Sequence, residues 1–128
     1  MRAYVGHIDR ETLKNRFFRK VLFTGKHAQL VVMCLGPGEE IGQEVHGHVD
    51  QFFRIEQGKA LFTFNKRKKA IVREGDAVVV PAGTVHNVQN ASREMLKLYT
   101  VYSPPNHPPR TVHKTRAAAE RAEAKHGH

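Results

Sequence analysis

Hydrophobic residues along this chain are grouped in short segments rich in Val, Leu, Phe and Tyr, separated by clusters of Gly, Pro, Asn and charged residues. The segments span residues 17–24, 29–35, 51–56, 60–64, 77–80, 85–88 and 96–102. Short strands with a turn signal after each one are typical of antiparallel sheets, whereas strands that alternate with helices indicate parallel sheets. The pattern therefore predicts an all-β sandwich or barrel.

Two segments outside this pattern predict helices. Near the start, Asp9 is expected to cap a short helical turn that runs through Asn15. Near the end, residues 115–125 read TRAAAERAEAK, and this alanine-rich, charged composition favours a solvent-facing helix that stops at Gly127.

The length of 128 residues fits one domain with a hydrophobic core and is too short for two. We expect the barrel to occupy residues 1–110 and a basic, helical tail to occupy residues 111–128. Cys34 is the single cysteine, which excludes an internal disulfide. No segment has the apolar character of a signal peptide or a membrane span, so the sequence predicts a cytoplasmic protein without a membrane partner.

The formal net charge of +9 raises the question of a nucleic-acid partner. The basic residues are spread along the chain, with one local run from Lys66 to Lys69. No aromatic residue interrupts that run, as a surface that stacks on bases would require. We therefore expect the run to form the solvated tip of a hairpin and do not expect nucleic acid as a partner.

Candidate chemistry is concentrated in the stretch EVHGHVDQF, residues 44–52, which contains two histidines, two carboxylates and an amide. Imidazole nitrogens and carboxylate oxygens are ligands that divalent first-row metals accept. A second stretch, GDAVVVPAGTVHN, brings His86 after two turn clusters that direct it back across a barrel. A lone histidine at such a position is more often hydrogen-bonded in a core, but the cluster upstream favours a metal ligand.

The second stretch and the residues after it resemble the second motif of the cupin superfamily at every fixed position. These positions are Gly75, Pro81, Gly83, His86 and Asn90. In the first cupin motif, the order of the fixed residues is Gly, His, His, Glu and Gly, separated by five, one, three or four, and six residues. Five residues of this chain match these intervals, two of them with a different residue type. The matching residues are Gly38, Glu44, His46, Gln51 and Gly58.

The resemblance implies a metal site formed by Glu44, His46, Gln51 and His86. Glu44 then stands where the family has its first histidine, and Gln51 stands where it has glutamate, so the site keeps a single negative charge. A strand would place Glu44 and His46 on the same face. The alternative alignment takes His46 and His48 as the histidine pair, but the glycine before the pair then falls at the wrong position of the motif. His48 could still replace Glu44 as a ligand or add a fifth one.

Two further sets of polar residues near these motifs are given no ligand role. Asp50 is expected to hold a turn or to orient an imidazole. The histidines of the C-terminal end are expected to be incidental: His107, His113, His126 and His128.

The resemblance, which covers residues 17–102, implies the double-stranded β-helix, or jelly roll, of cupins, and the residues outside it add a short N-terminal helical turn and a helical C-terminal tail. It also implies a divalent transition metal, Fe, Mn, Ni or Zn, and a homodimer. Cupins of this size include dioxygenases, isomerases and lyases that act on small oxygen-rich molecules, as well as non-catalytic binders and sensors. We expect a metal-dependent enzyme, with a non-catalytic small-ligand or metal-binding module as the alternative, because fold analogy alone does not choose.

Overall fold

The computed structural model describes residues 2–126, and this part of the chain forms nine strands and two helices. The helices are α1 (Ile8–Lys14) and α2 (Arg116–His126). The strands are β1 (Arg19–Thr24), β2 (Gln29–Leu35), β3 (Asp50–Gln57), β4 (Lys59–Phe64), β5 (Lys68–Arg73), β6 (Ala77–Val80), β7 (His86–Asn90), β8 (Leu96–Ser103) and β9 (Val112–His113).

The strands pair antiparallel in two sheets whose inner faces enclose the core. The larger sheet has the order β6-β3-β8-β2-β1-β9, and the smaller sheet has the order β5-β4-β7. Inward and outward residues alternate along β3, β7 and β8, as the two-residue period of a strand requires. This architecture confirms the predicted all-β jelly roll with a short helix near each end.

The core between the sheets is apolar at its centre and polar at one end. Met33, Ile55 and Leu98 are fully buried, and the ring of Phe53 in β3 meets Phe62 of β4 edge-on, with centroids 5.1 Å apart. Polar residues replace these apolar ones where β3 and β7 begin and where β8 ends. They are Gln51, His86, Thr100 and Tyr102, and all four are buried.

The predicted strands are all present, but β5 and β9 were not predicted. β5 carries Lys68 and Lys69 at its start and lies at the edge of the smaller sheet, where lysine is common because it discourages further pairing. The turn before it, residues 65–67, is the expected solvated hairpin tip. β9 has only two residues, and its position depends on pairing with Arg19 and Lys20 of β1.

The two helices differ from the sequence prediction in detail. α1 begins at Ile8, so Asp9 lies in its first turn and is not its N-cap; the capping position is His7. α2 begins after Thr115, whose hydroxyl accepts a hydrogen bond from the Ala118 amide at 3.0 Å. The predicted stop at Gly127 lies outside the described residues.

α2 is not wholly solvent-facing, since Ala119 is 2% exposed and packs against the barrel core. Neither helix in residues 2–126 has the length and apolar character needed to cross a membrane.

Candidate metal centre

Backbone pairing places Glu44 directly opposite His86. Although Glu44 lies outside the named strands, its amide donates to the His86 carbonyl at 2.8 Å, and the His86 amide donates back to the Glu44 carbonyl at 2.8 Å. Residues paired in this way project to the same face of a sheet, with Cβ atoms roughly 5 Å apart. The two sequence motifs therefore meet through a backbone bridge between their candidate ligands.

His46 joins this pair because the chain stays extended after Glu44. Val45 between them is 55% exposed, whereas Glu44 and His46 point inward and line the same cavity. The His46 carbonyl accepts a hydrogen bond from the Gly83 amide at 2.8 Å, which ties the first motif to the turn that precedes His86. The imidazole rings of His46 and His86 have centroids 5.7 Å apart.

The candidate ligand atoms of Glu44, His46 and His86 all lie within 4.8 Å of one another. Glu44 Oε1 is 3.7 Å from His46 Nε2 and 3.9 Å from His86 Nε2. Two ligands at about 2.1 Å from a shared tetrahedral ion would lie about 3.4 Å apart. The separations are only a few tenths of an ångström longer, so the group fits a transition-metal ion.

The hydrogen bonding of the imidazoles also fits a metal. Within residues 2–126, the Nε2 atoms of His46 and His86 are buried and have no hydrogen-bond partner. His86 Nδ1 lies 3.1 Å from the Thr84 carbonyl, which can only accept, so Nδ1 carries the proton and Nε2 presents its lone pair. A buried nitrogen without a partner is costly in a core but is what a metal ligand needs.

Gln51 is held with its amide oxygen free. Its side-chain nitrogen donates to Thr100 Oγ1 at 2.9 Å, and Oε1 is buried and has no partner within the described residues. Gln51 pairs in register with Tyr102, whose ring stands edge-on to His46 with centroids 5.9 Å apart. The fourth predicted ligand therefore has an unused acceptor and pairs with Tyr102, which contacts His46.

Electrostatics keeps the carboxyl group of Glu44 ionised. Burial alone would raise its pKa, but the nearby imidazoles of His46 and His86, together with the positive charge of Arg19, outweigh burial and lower the pKa below its usual value. The site therefore offers one anionic oxygen and two imidazoles at neutral pH.

Two predicted candidates lie away from this group. His48 is exposed in the turn at residues 47–48, outside the group of Glu44, His46 and His86. Asp50 Oδ1 accepts a hydrogen bond from the Ala82 amide at 2.8 Å, so Asp50 holds the turn that precedes His86.

The glycines that fix the spacing of the first motif require their residue type. Gly38 has φ of +76° and Gly58 has φ of +91°, which L side chains rarely adopt. A Cβ at Gly58 would also lie 3.2 Å from the Met95 carbonyl oxygen and from Ser92 Oγ. The backbone conformation therefore requires glycine at these two positions. The spacing that they set selects Glu44 and Gln51 in place of a His46–His48 pair.

The group opens on a cavity of about 410 Å³ with two walls. The barrel wall consists of Gln43, Glu44, Val45 and His46, and the C-terminal wall consists of Asn106, His107 and Glu123. The C-terminal wall was not predicted from the sequence, and His107 was expected to be incidental. No local signal marks it, because its residues are brought to the cavity by long-range contacts.

Buried Gln29 of β2 holds the C-terminal wall in place. Its Oε1 accepts hydrogen bonds from the amides of Asn106 at 3.1 Å and His107 at 3.0 Å. Its Nε2 donates to the His107 carbonyl at 2.7 Å and to Thr24 Oγ1 at 2.9 Å. One side chain therefore anchors the loop that covers this end of the barrel.

The imidazole of His107 and the buried phenol of Tyr102 form a neutral pair between the walls. His107 Nε2 and the Tyr102 hydroxyl are 3.2 Å apart. Burial, with the positive charge of Arg19, lowers the pKa of His107 to about 3, and burial raises the pKa of Tyr102 well above its usual value. Both groups stay uncharged at neutral pH.

Comparison with known proteins agrees with this fold. The cupin domain family matches residues 31–102, more than half of the chain. "Uncharacterized protein YrkC" of Bacillus subtilis is 50% identical over 127 residues, covering 95% of this chain and 68% of that protein. An uncharacterized protein of Acanthamoeba polyphaga mimivirus is 47% identical over 110 residues, covering 84% and 69%. The chain belongs to the cupin superfamily.

A solved structure resembles the chain over nearly its whole length. The crystal structure of BH2720 from Bacillus halodurans has a TM-score of 0.92 and 44% sequence identity, and the match covers 94% of this chain and 95% of that one. The match covers more of the chain than residues 31–102, the part that the family comparison matches. The resemblance of sequence motifs to cupins is therefore confirmed in three dimensions.

Proposed function

We propose that this cupin is a metal-dependent enzyme that acts on a small oxygen-rich organic molecule, of the dioxygenase, isomerase or lyase type. Glu44, His46, His86 and Gln51 would hold Fe, Mn, Ni or Zn. The observation that carries the proposal is the convergence of an ionised carboxylate and two partnerless imidazole nitrogens beside a cavity large enough for a small molecule.

A bound ion would supply Lewis-acid chemistry to a substrate oxygen or, if it is iron or manganese, chemistry with dioxygen. The protein's own contribution would be orientation: the Thr84 carbonyl fixes the tautomer of His86, and Thr100 fixes the amide of Gln51. His107, held neutral beside Tyr102, would line the substrate cavity without adding charge.

A specific observation favours a non-catalytic metal-binding or small-ligand module as the second candidate. With Gln51, the protein offers four ligands, which is the number that closes a structural zinc site. A catalytic zinc site keeps one position open, whereas an octahedral ion with four protein ligands keeps two. Zinc as the resident metal would therefore favour a binding module, and iron, manganese or nickel would favour an enzyme.

The test is a reconstitution of the full chain with each of the four metals, followed by incubation with a pool of small hydroxy, oxo and carboxylic acids. Mass spectrometry of the pool identifies gain of oxygen, isomerisation, or loss of water or carbon dioxide. Turnover by the wild type and the His48→Ala control, but not by His86→Ala, supports the enzyme. Metal binding without turnover of any pool member supports the binding module.

The predicted homodimer and cytoplasmic location stay predictions. Light scattering coupled to gel filtration would measure the oligomeric state, with a mass of two chains as the expected result.

A further inference from the structure

Arg19, the first residue of β1, is a buried cation beside the cavity. Its side chain is 1% exposed and lies within the end of the barrel that carries the polar residues. A guanidinium stays charged at all ordinary pH values, and burying it is costly unless hydrogen bonds and an anion compensate. The hydrogen-bond and ion-pair partners of Arg19 therefore indicate its role.

The protein supplies few hydrogen-bond partners, although the guanidinium also lies over the Phe18 ring, 5.2 Å from its centroid. Nη1 donates to His113 Nδ1 at 3.2 Å, and burial together with Arg19 lowers the pKa of His113, so this partner is neutral. Nε is buried and has no hydrogen-bond partner in residues 2–126. A guanidinium has five N–H donors in a fork that matches a carboxylate, and here the fork lacks a close carboxylate.

The nearest acidic side chain is Glu123 of α2, and its contact is loose. Glu123 Oε2 lies 3.7 Å from Arg19 Nη1, beyond the 2.7–2.9 Å of a charge-assisted hydrogen bond. The Glu123 side chain is 37% exposed and belongs to the C-terminal wall of the cavity. It therefore stands between the buried guanidinium and the space in which a ligand would lie.

The charges at this end of the barrel act on one another. Tyr102, which contacts both His46 and His107, feels the charges of Glu44, Arg19 and Glu123. The guanidinium and the candidate metal ligands are thus on two sides of one polar interior. A monoanionic molecule in the cavity would contact His46 on the barrel wall and Glu123 on the C-terminal wall, and it would reach Arg19 only if the Glu123 side chain moved aside.

We propose that Arg19 and the cavity form a carboxylate-binding site, in which Glu123 occupies the place of a ligand carboxylate and is displaced when a small organic acid binds. The proposal rests on the proposed function for its setting and adds a substrate class to it: a small acid with one carboxylate for Arg19 and a further oxygen function directed toward Glu44, His46 and His86. α2 then controls access to the guanidinium.

The test uses the full chain and pyruvate, a monocarboxylate with one further oxygen, with its neutral amide as the control ligand. Nuclear magnetic resonance follows the titration through backbone amides and through the Arg19 Nε–H signal. The key variant is Glu123→Gln, which removes the competing charge from an exposed position. Its matched control is Glu120→Gln, since Glu120 is on the same helix, is paired with Arg116 at 2.7 Å, and does not line the cavity.

We expect pyruvate to bind Glu123→Gln about tenfold more tightly than wild type, which corresponds to about 1.4 kcal/mol. The Arg19 Nε–H signal should move on binding, the neutral amide should not bind, and Glu120→Gln should behave as wild type. The double variant Arg19→Met, Glu123→Gln should lose binding.

An equal increase in pyruvate affinity in Glu120→Gln and Glu123→Gln would show that the effect comes from the change in net charge alone, and it would overturn the proposal. So would unchanged affinity in Glu123→Gln, or a tight complex that leaves the Arg19 Nε–H signal in place. If the double variant does not fold, the binding of pyruvate and of its neutral amide to Glu123→Gln still tests the proposal. A site formed by an arginine requires the negative charge of the carboxylate, so the amide should not bind.

Titrations of metal-free and zinc-loaded protein separate this proposal from the metal site. Pyruvate binding by the metal-free Glu123→Gln protein with no zinc uptake would support the carboxylate site and contradict the proposed metal function. Zinc uptake with no increase in pyruvate affinity in Glu123→Gln would support the metal function and contradict the carboxylate site.

Discussion

The barrel wall and the C-terminal wall of the cavity differ in how their side chains are held. In the barrel wall, Glu44 is paired with His86 through two backbone hydrogen bonds, and an extended chain carries His46 from it. In the C-terminal wall, side chains hold the backbone: Gln29 anchors Asn106 and His107, and among the described side chains, which end at residue 124, the only polar contact of Glu123 is with Arg19.

The two walls also differ in whether their buried polar groups have hydrogen-bond partners. The imidazole nitrogens of His46 and His86 are buried without partners, whereas His107 has a partner in Tyr102. Buried groups without partners point to a ligand that completes them, and paired groups point to structure or to positioning. This difference supports the proposals that the barrel wall and its neighbour His86 bind the metal and that the C-terminal wall positions the ligand.

The largest expected effect comes from breaking the metal group. His86→Ala removes the ligand whose tautomer Thr84 fixes, and we expect the affinity for Mn²⁺ or Zn²⁺ to fall by at least about 100-fold, more than the loss of an outer-shell partner usually costs. Calorimetric titration measures this, with circular dichroism to check the fold. His48→Ala is the matched control, and a similar loss in that variant would contradict the assignment.

Next in size is the loss of the anchor of the C-terminal wall. Gln29→Met leaves the buried amides of Asn106 and His107 without their acceptor, and we expect the free energy of unfolding in urea to fall by about 3 kcal/mol. Metal affinity should change by less than about threefold, because the barrel wall does not depend on this residue. Gln43→Met, at an exposed position, should change stability by less than about 0.5 kcal/mol.

A loss of metal affinity in Gln29→Met as large as that in His86→Ala would show that the two walls are one structural unit. The separation drawn between them would then be wrong.

A pH-dependent effect on stability is expected through His107. Its folded pKa of about 3 lies below the ordinary 6.5, so the unfolded chain takes up the proton first as pH falls. The stability that comes from neutral His107 should be fully present above pH 6.5 and lost progressively toward pH 3. Urea unfolding across this range should give a steeper decline for wild type than for His107→Gln; parallel declines would contradict the low pKa.

The smallest effect is expected far from both walls. Lys68→Gln with Lys69→Gln alters the exposed start of edge strand β5, so stability should change by less than about 0.5 kcal/mol and metal affinity should not change. Filter binding at low salt should give no affinity for nucleic acid in either protein. A salt-dependent complex that the double variant loses would instead identify a nucleic-acid surface.

The sequence was sufficient to predict the features that depend on local geometry. Strand β2 and strand β6 begin and end where the hydrophobic segments do, at residues 29–35 and 77–80. The spacing of the motif glycines selected Glu44 and His46 because positive φ at Gly38 and Gly58 is a local requirement. The same frame places His48 in the connection between strands, where the structure has a turn.

The features that depend on long-range contacts could not be predicted. β9 exists because Val112 and His113 reach Lys20 and Arg19, more than ninety positions earlier in the chain. His107 was dismissed because a histidine after a strand end carries no local signal, and only Gln29 and Tyr102 bring it to the cavity. The role of Glu123 was hidden for the same reason, since the composition of α2 is that of a solvated helix.

The most direct test of the central claim, that Glu44 and His86 hold a metal while His48 does not, is metal content by plasma mass spectrometry. Tag-free wild type should be measured beside Glu44→Ala, His48→Ala and His86→Ala. We predict near-stoichiometric iron, manganese, nickel or zinc in wild type and His48→Ala, and its loss in the other two variants. A wild-type protein that stays metal-free after reconstitution, or equal metal content in all four proteins, would contradict the claim.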